Sequence, residues 1–274
     1  MRPASIRPVS IPYLIFAPDL QKFGFSAKKT GGHMARSMML DEMAQLQAAF
    51  PITANRSDFQ TAIERDNLLG KPTLSSRQKS YRHLVELYGL DQEQALFRVL
   101  RHIGALDSSS FPLMAAVCVF CRDAQLRSSF ELIIQKNPGD VIPRTEMEQH
   151  LESSFPDRFS EAMKKSLAQN VNTSWTACGH LEGRNKKIRA LPHAGTGAVC
   201  YAMFAGWLSG LRGDYLIDSI FTKLVAADPG SVLTHLRSGS AMGLLRLRSG
   251  GGVTEIDFSQ LLTPNELSLI HGAH

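Results

Sequence analysis

Apolar residues recur at helical spacing along most of the chain, and they alternate as in β-strands at only two places. Residues 34–50, 90–106 and 111–137 each predict one helix, the last two so apolar that they should form core. The strand-like places are residues 178–191 and 244–258, and each contains a glycine turn between two short runs. The pattern therefore predicts a mainly α fold with two short β-hairpins.

A helix-turn-helix-like segment is predicted after the first of these helices. Ser57 can cap a helix that runs to about Asn67, and a turn at Gly70 separates it from a helix capped by Ser75. One stripe of the second helix is apolar: Tyr81, Leu84, Val85 and Tyr88. The other side is polar: Lys79, Arg82, His83 and Glu86. Its two cations, Lys79 and Arg82, are candidates for an additional contact with a polyanion.

Two helices of different length are predicted in the second half of the chain. The shorter covers Arg144–Ser154, and the longer is capped by Ser160 and runs to about Thr176. On a helical projection, one side of the longer helix is apolar: Met163, Leu167, Val171 and, at the edge, Trp175. The opposite side carries residue types that contact phosphates and base edges: Lys165, Gln169, Asn172 and Thr176.

A basic hairpin is predicted directly after this helix. Residues 178–182 can run extended, Gly183 can turn the chain, and residues 186–191 can return. Four cations lie in this stretch: Arg184, Lys186, Lys187 and Arg189. Short helix, long helix and basic hairpin follow each other in the order typical of a winged helix. The simpler interpretation is a solvated loop whose charge serves solubility.

Clusters of turn residues divide the chain. Four prolines in the first eighteen residues indicate an extended or disordered leader over residues 1–22. Proline, glycine and aspartate cluster at residues 137–144, which indicates a boundary there. We expect a helical domain over residues 23–140 and a winged-helix-like domain, with C-terminal helices and a hairpin, over residues 141–274.

The charge of the chain is concentrated near the basic hairpin. The formal net charge is +5, and residues 157–190 hold seven basic against three acidic residues. Such a local excess suits a polyanion. The hairpin of residues 244–258 differs, because Arg246 and Arg248 would lie opposite Asp257 and Glu255. We therefore interpret the second hairpin as structural.

Two features that could suggest other classes of protein have simpler explanations. Cys118 and Cys121 form a CxxC pair, but their neighbours are apolar, which favours helix packing over zinc binding. Residues 194–211 carry no charge, yet their four glycines favour a buried helix over a membrane span. Sparse cysteines and the lack of a signal peptide indicate a reducing cytoplasm.

Sequence motifs of enzymes are missing. The chain has no GxSxG, Walker, HExxH or GxGxxG motif in the required context. His33, His180 and His193 have no carboxylate partner at short spacing. We therefore expect neither catalysis nor a metal ion or other cofactor.

The stretches "GGHMARSMMLDEMAQL" and "IERDNLLGKPTLSSRQKSYRHL" resemble the opening of the BrxA family, over about residues 23–90. These are accessory proteins of bacterial BREX phage-defence systems. The resemblance implies a non-enzymatic protein that binds double-stranded DNA, with a helical fold of the NusB type. It transfers no site residues.

Pattern and resemblance together predict a cytoplasmic double-stranded DNA-binding accessory protein, with no membrane partner and with other proteins of the defence system as further partners. Two alternatives remain open. One is a helical adaptor that docks a larger enzyme of the same system, and the other is a winged-helix transcriptional regulator.

Overall fold

The computed structural model describes residues 18–250 and 253–271, and it is mainly helical. The α-helices are α1 (Leu40–Ala49), α2 (Arg56–Glu64), α3 (Leu74–Tyr88), α4 (Ala95–Leu106), α5 (Phe111–Arg122), α6 (Ala124–Gln135), α7 (Arg144–Ser154), α8 (Glu161–Ala177), α9 (Thr196–Leu208), α10 (Gly213–Ile217), α11 (Ile220–Leu224), α12 (Pro229–Ala241) and α13 (Pro264–His271). Short 3-10 helices cover Pro18–Phe23, Gly32–Met34, Ser108–Ser110 and Ser259–Leu261.

The strands form two separate antiparallel hairpins. Strand β1 (Leu181–Glu182) pairs with β2 (Ile188–Arg189), and β3 (Arg246–Gly250) pairs with β4 (Val253–Asp257). The prediction of a mainly α fold with two short hairpins is confirmed. In the second hairpin, Arg246 lies opposite Asp257 and Arg248 opposite Glu255, which is the predicted register.

Helices α5 and α9 pack against each other at the centre of the core. Every residue from 197 to 208 is buried, so the uncharged run of residues 194–211 forms a buried helix as predicted. Cys118 and Cys121 are fully buried in α5, which confirms helix packing for this pair. Burial raises the pKa of the Cys118 thiol to about 11. In the described part of the chain, no helix has the length and hydrophobicity that a membrane crossing requires.

Residues 111–137 form two helices, so the prediction of a single helix is wrong. The break lies at Asp123, whose side chain accepts hydrogen bonds from Gln125 N (3.0 Å) and Leu126 N (2.9 Å) and so caps α6. A carboxylate at this position satisfies free N–H groups of a new helix start, which makes the turn between α5 and α6 stable.

The N-terminal part differs from its prediction in two ways. Residues 1–17 of the predicted leader lie outside the described residues, but residues 18–22 belong to a 3-10 helix whose last residue, Phe23, is buried. The helix predicted over residues 34–50 begins only at Leu40. Met39 has a left-handed φ of 51° and is buried, so core packing of its side chain interrupts the helical pattern there.

The helix-turn-helix-like segment has its helices near the predicted places, with different caps. Asn55 caps α2 and Thr73 caps α3, two residues before the predicted Ser57 and Ser75. In α3, Leu84 and Tyr88 are buried as the pattern predicts. His83 is also buried, because α3 packs against both α5 and the Gly32–Met34 turn, which widens its buried face.

Helices α7 and α8 follow the prediction closely. Helix α7 covers Arg144–Ser154, and Ser160 caps α8 by accepting a hydrogen bond from Met163 N. The hairpin β1–β2 comes next, and a third segment joins it: Val141 forms an antiparallel bridge with Ile188 of β2. The segment before α7 therefore continues the small sheet on the side of β2.

Apolar packing continues across the predicted domain boundary. One hydrophobic cluster contains buried residues from both sides of residue 140, and α9 packs directly on α4 and α5. The division into domains at this residue stays a prediction.

Candidate nucleic-acid interface

The polar face that helix α8 exposes to solvent is narrower than its sequence suggests. Leu167, Val171 and Trp175 are buried as predicted, but Asn172 is also buried, with 3% of its surface exposed. The reason is that α8 packs against α7, and the segment before α7 lies beside Asn172. The segment that follows Gly31 covers another side of α8, where Asn170 Nδ2 donates to the His33 carbonyl oxygen (2.9 Å). Ser174 Oγ accepts a hydrogen bond from Met38 N (2.8 Å), which fixes this segment along the helix.

Four residues of α8 were predicted to contact nucleic acid, and two of them face solvent. Lys165 and Gln169 are exposed. Asn172 is not on an open face, and Thr176 is half-buried with its hydroxyl donating to the Asn172 carbonyl (2.7 Å). Thr173 is exposed in their place. A helical projection missed Thr173 because the buried side of α8 is rotated toward Asn172, where α7 packs.

The loop of the first hairpin displays its cations unequally. Arg184 and Lys186 are exposed. Lys187 is half-buried and donates to the Gly183 carbonyl (2.7 Å), and burial lowers the pKa of its ammonium group. Gly183 has a φ of 86°, and a Cβ at this position would overlap the Lys186 carbonyl oxygen. Glycine is therefore required for the turn that presents the cations.

Arg189 is a structural residue, so its prediction as a phosphate contact is wrong. Only 6% of its surface is exposed. Its guanidinium donates to the carbonyl oxygens of Ile133 (3.0 Å), His180 (3.1 Å) and Ala190. Burial lowers the pKa of Arg189. The side chain lies on the inner face of the hairpin because successive strand residues point to opposite sides.

A cleft of about 640 Å³ lies between α8, the hairpin loop and the start of α7. It brings together five of the predicted residues: Gln169, Asn172, Arg184, Lys186 and Lys187. It adds three that sequence reasoning missed: Arg144, Thr173 and Asn185. Lys165, Thr176 and Arg189 do not line it. We call this feature the α8–hairpin cleft.

The α8–hairpin cleft has an excess of positive charge. Arg144 is paired with Glu148 (2.9 Å), and nearby Lys164 is shared by Glu152 (3.2 Å) and Glu161 (2.5 Å). Over residues 18–250 and 253–271, no carboxylate forms an ion pair with Lys165, Arg184, Lys186 or Lys187. Their charge is therefore available to an anion.

The two cations predicted on α3 lie elsewhere. Lys79 and Arg82 are exposed, and Arg82 borders a separate cleft with Lys28, His83 and Arg122. Arg122 is occupied, since it donates to the carbonyl oxygens of Glu86 (3.2 Å) and Val85 (3.1 Å) and to Gly24. The structure thus assigns the cations of α3 to a different surface from those of the α8–hairpin cleft.

A buried serine, histidine and aspartate meet inside the core. His33 Nε2 lies 2.7 Å from Ser174 Oγ, and His33 Nδ1 lies 3.1 Å from Asp123 Oδ2. All three residues are at most 1% exposed, so a substrate cannot reach the hydroxyl. Burial opposes ionisation of Asp123, but the charge of His33 and its hydrogen bonds outweigh this and lower the Asp123 pKa. The expectation that His33 lacks a carboxylate partner holds only at short sequence spacing.

His180 is also buried. Its Nε2 lies 2.7 Å from the Leu224 carbonyl oxygen, and its Nδ1 accepts from Arg189 Nη1 (3.2 Å). Both contacts require a neutral ring with the proton on Nε2. Burial and the charge of Arg189 lower the pKa of His180 to about 4, although the Leu224 carbonyl opposes the shift. His193 is exposed.

Among the described residues, no group of three or more histidine, cysteine or acidic side chains could hold a metal ion. Comparison with protein families, with curated proteins and with solved structures gives no match for this chain.

Proposed function

We propose that the protein binds double-stranded DNA through the α8–hairpin cleft, without catalysing a reaction. The observation that carries the proposal is the pair of exposed cations Arg184 and Lys186, which form no ion pair among the described residues and line the cleft together with Gln169. Lys165 is exposed on the same helix as Gln169, outside the cleft. Phosphate contacts need accessible cations on a projecting element, and an amide side chain can read base edges.

We propose further that residues 124–189 form a winged-helix arrangement. Support comes from the element order: α6, the bridge segment at Val141, α7, α8, and then β1 and β2. Support also comes from the isolated bridge between Val141 and Ile188, which places a further segment beside β2 of the two-stranded sheet. In this arrangement α8 enters the major groove and the loop of residues 183–187 follows the neighbouring backbone.

The resemblance to the BrxA family supports placing this activity in a phage-defence system. A protein adaptor is the second candidate, because large apolar side chains are exposed in the segment before α7 and directly after the first hairpin. Leu191 is 63% exposed and Val141 is 37% exposed. Docking through these residues would depend little on salt, whereas a phosphate-driven complex weakens linearly in log K against log salt concentration.

Charge reversal in the hairpin loop tests the DNA proposal. We expect Arg184→Glu/Lys186→Glu to weaken binding of a duplex at least about 10-fold in 0.1 M salt. The salt slope should become less steep by about 2, because two phosphate contacts are lost. Binding is measured by fluorescence anisotropy with a labelled duplex of mixed sequence. Lys187 is left unchanged in this variant, since its ammonium group donates to the Gly183 carbonyl oxygen within the loop.

The matched control is Lys223→Glu/Arg237→Glu, which makes the same change of charge at exposed positions of α11 and α12. It should change the affinity less than about twofold, because these residues do not line the α8–hairpin cleft. Equal affinity in the two double variants would contradict the proposed site. Absence of duplex binding by the unmodified protein would overturn the function and favour the adaptor.

A further inference from the structure

The start of α7 offers free hydrogen-bond donors to the α8–hairpin cleft. Pro143 occupies the position before the helix and cannot cap it with its side chain. The N–H groups of Glu146 and Met147 donate hydrogen bonds to the Pro143 carbonyl oxygen (3.1 and 3.3 Å). In the described part of the chain, the N–H groups of Arg144 and Thr145 have no acceptor. Helix α7 is eleven residues long, so its dipole adds positive potential at this end.

A second and independent feature of the same cleft is a side-chain amide that lacks hydrogen-bond partners among the described residues. Asn172 lines the cleft, is 97% buried by its exposed fraction of 3%, and its Oδ1 has no hydrogen-bond partner among the described residues. A buried polar side chain without partners is unfavourable, so an unpartnered amide in the wall of a cleft indicates a ligand there. Asn172 Nδ2 also has no acceptor among the described residues, and its N–H groups are donors that an anion can use.

We propose that the α8–hairpin cleft holds a phosphate group at the start of α7. The Arg144 N–H and the Asn172 amide donate to its oxygens, and Arg184 and Lys186 neutralise its charge. This inference rests on the proposed function for the source of the phosphate, a DNA backbone, although free phosphate has the same chemistry. A phosphate fits this group of donors and cations, because it carries negative charge and its oxygens accept hydrogen bonds.

The experiment follows the backbone N–H of Arg144 and the side-chain amide of Asn172 by NMR in the ¹⁵N-labelled full chain. One titration adds inorganic phosphate and the other adds a duplex of mixed sequence, each against sodium chloride of equal ionic strength. We expect both signals to shift in a saturable way in both titrations. The amide of Arg237, which lies on α12, serves as the reference and should not shift.

Two variants at position 144 distinguish the contribution of the backbone N–H to phosphate binding from that of the side chain. Arg144→Gln removes the charge and keeps the N–H, whereas Arg144→Pro removes both. Proline is tolerated at the first position of a helix, and Pro143 already has the extended φ and ψ of −62° and 146° that a following proline requires. We expect Arg144→Pro to bind phosphate at least about 10-fold more weakly than Arg144→Gln, since a hydrogen bond to a charged group is lost. Equal melting temperatures show that both variants fold.

The outcomes distinguish this inference from the proposed function. Duplex binding without shifts at Arg144 and Asn172, or equal phosphate affinity of the two variants, overturns the phosphate position and leaves DNA binding intact. Saturable shifts with phosphate but no duplex binding support the site for free phosphate and overturn the DNA function. No response to either ligand overturns both.

Discussion

The two hairpins of this protein use charge in opposite ways. In β3–β4, Arg246 and Arg248 lie opposite Asp257 and Glu255, with 3.8 Å between Arg248 Nη1 and Glu255 Oε2. In β1–β2, the strands are only two residues long and the cations lie in the loop between them without ion-pair partners in the described chain. The charges of the second hairpin therefore cancel locally, whereas the exposed cations of the first hairpin keep a positive field around its loop.

The hairpins also differ in how they are attached to the core. Arg189 of the first hairpin donates to carbonyl oxygens of α6 and of the turn after α8. The corresponding arginines of the second hairpin are exposed. A buried cation, Arg189, therefore anchors the first hairpin to the core, while Arg184 and Lys186 of the same hairpin are exposed to solvent. Three substitutions test this difference.

The largest effect is expected at Arg189. Arg189→Ala removes the hydrogen bonds of the buried guanidinium and leaves a cavity under the hairpin, while the Ile133 and His180 carbonyl oxygens keep their backbone donors. We expect a loss of about 4 kcal/mol in the free energy of unfolding. Arg246→Ala in the second hairpin should cost less than about 0.5 kcal/mol, because an exposed charge contributes little. Urea unfolding measures both. Similar losses in the two variants would remove the distinction between the hairpins.

A pH titration of stability tests the buried ring beneath the first hairpin. The pKa of His180 is about 4 in the folded state, below its ordinary value of 6.5, so the unfolded chain takes up the proton first as the pH falls. Stability is complete above pH 6.5 and decreases by about 3 kcal/mol between pH 6.5 and pH 4. His180→Gln should flatten this region of the curve, whereas His193→Gln, at an exposed position, should not. An unchanged slope in His180→Gln would show that another group is responsible.

The smallest of the three effects is expected at the glycine turn. Gly183→Ala introduces a Cβ at a φ of 86° that overlaps the Lys186 carbonyl oxygen, and we expect a loss of about 2 kcal/mol. Gly250→Ala in the second hairpin meets open space and should change stability by less than about 0.5 kcal/mol. Thermal unfolding of the two variants side by side provides the measurement. A tolerated alanine at position 183 would show that the loop has another conformation.

Local features of the fold were predictable where neighbouring residues decide them. The Ser160 cap, the limits of α7 and the register of Arg246 with Asp257 depend on side chains a few positions away. The split at Asp123 was missed because the apolar pattern continues through it, and only the cap geometry ends the first helix.

The sequence predicted which types of residue form the candidate site, but it predicted less well which individual residues line it. Gln169, Arg184 and Lys186 lie where the pattern of α8 and its hairpin suggests. Arg144 was missed because the start of α7 reaches the cleft through the pairing of Val141 with Ile188, a contact across 47 positions that no spacing reveals.

The sequence alone determined the helices, the two hairpins and the clustering of cations after α8. Their signals are apolar periodicity, capping residues and glycine turns, which depend on interactions between near neighbours. Tertiary packing alone decided which of those side chains face solvent. Asn172 became buried because the distant segment before α7 lies beside it, and Arg189 became buried because it bonds to Ile133 of α6. The free energy of that burial is not encoded in any local pattern.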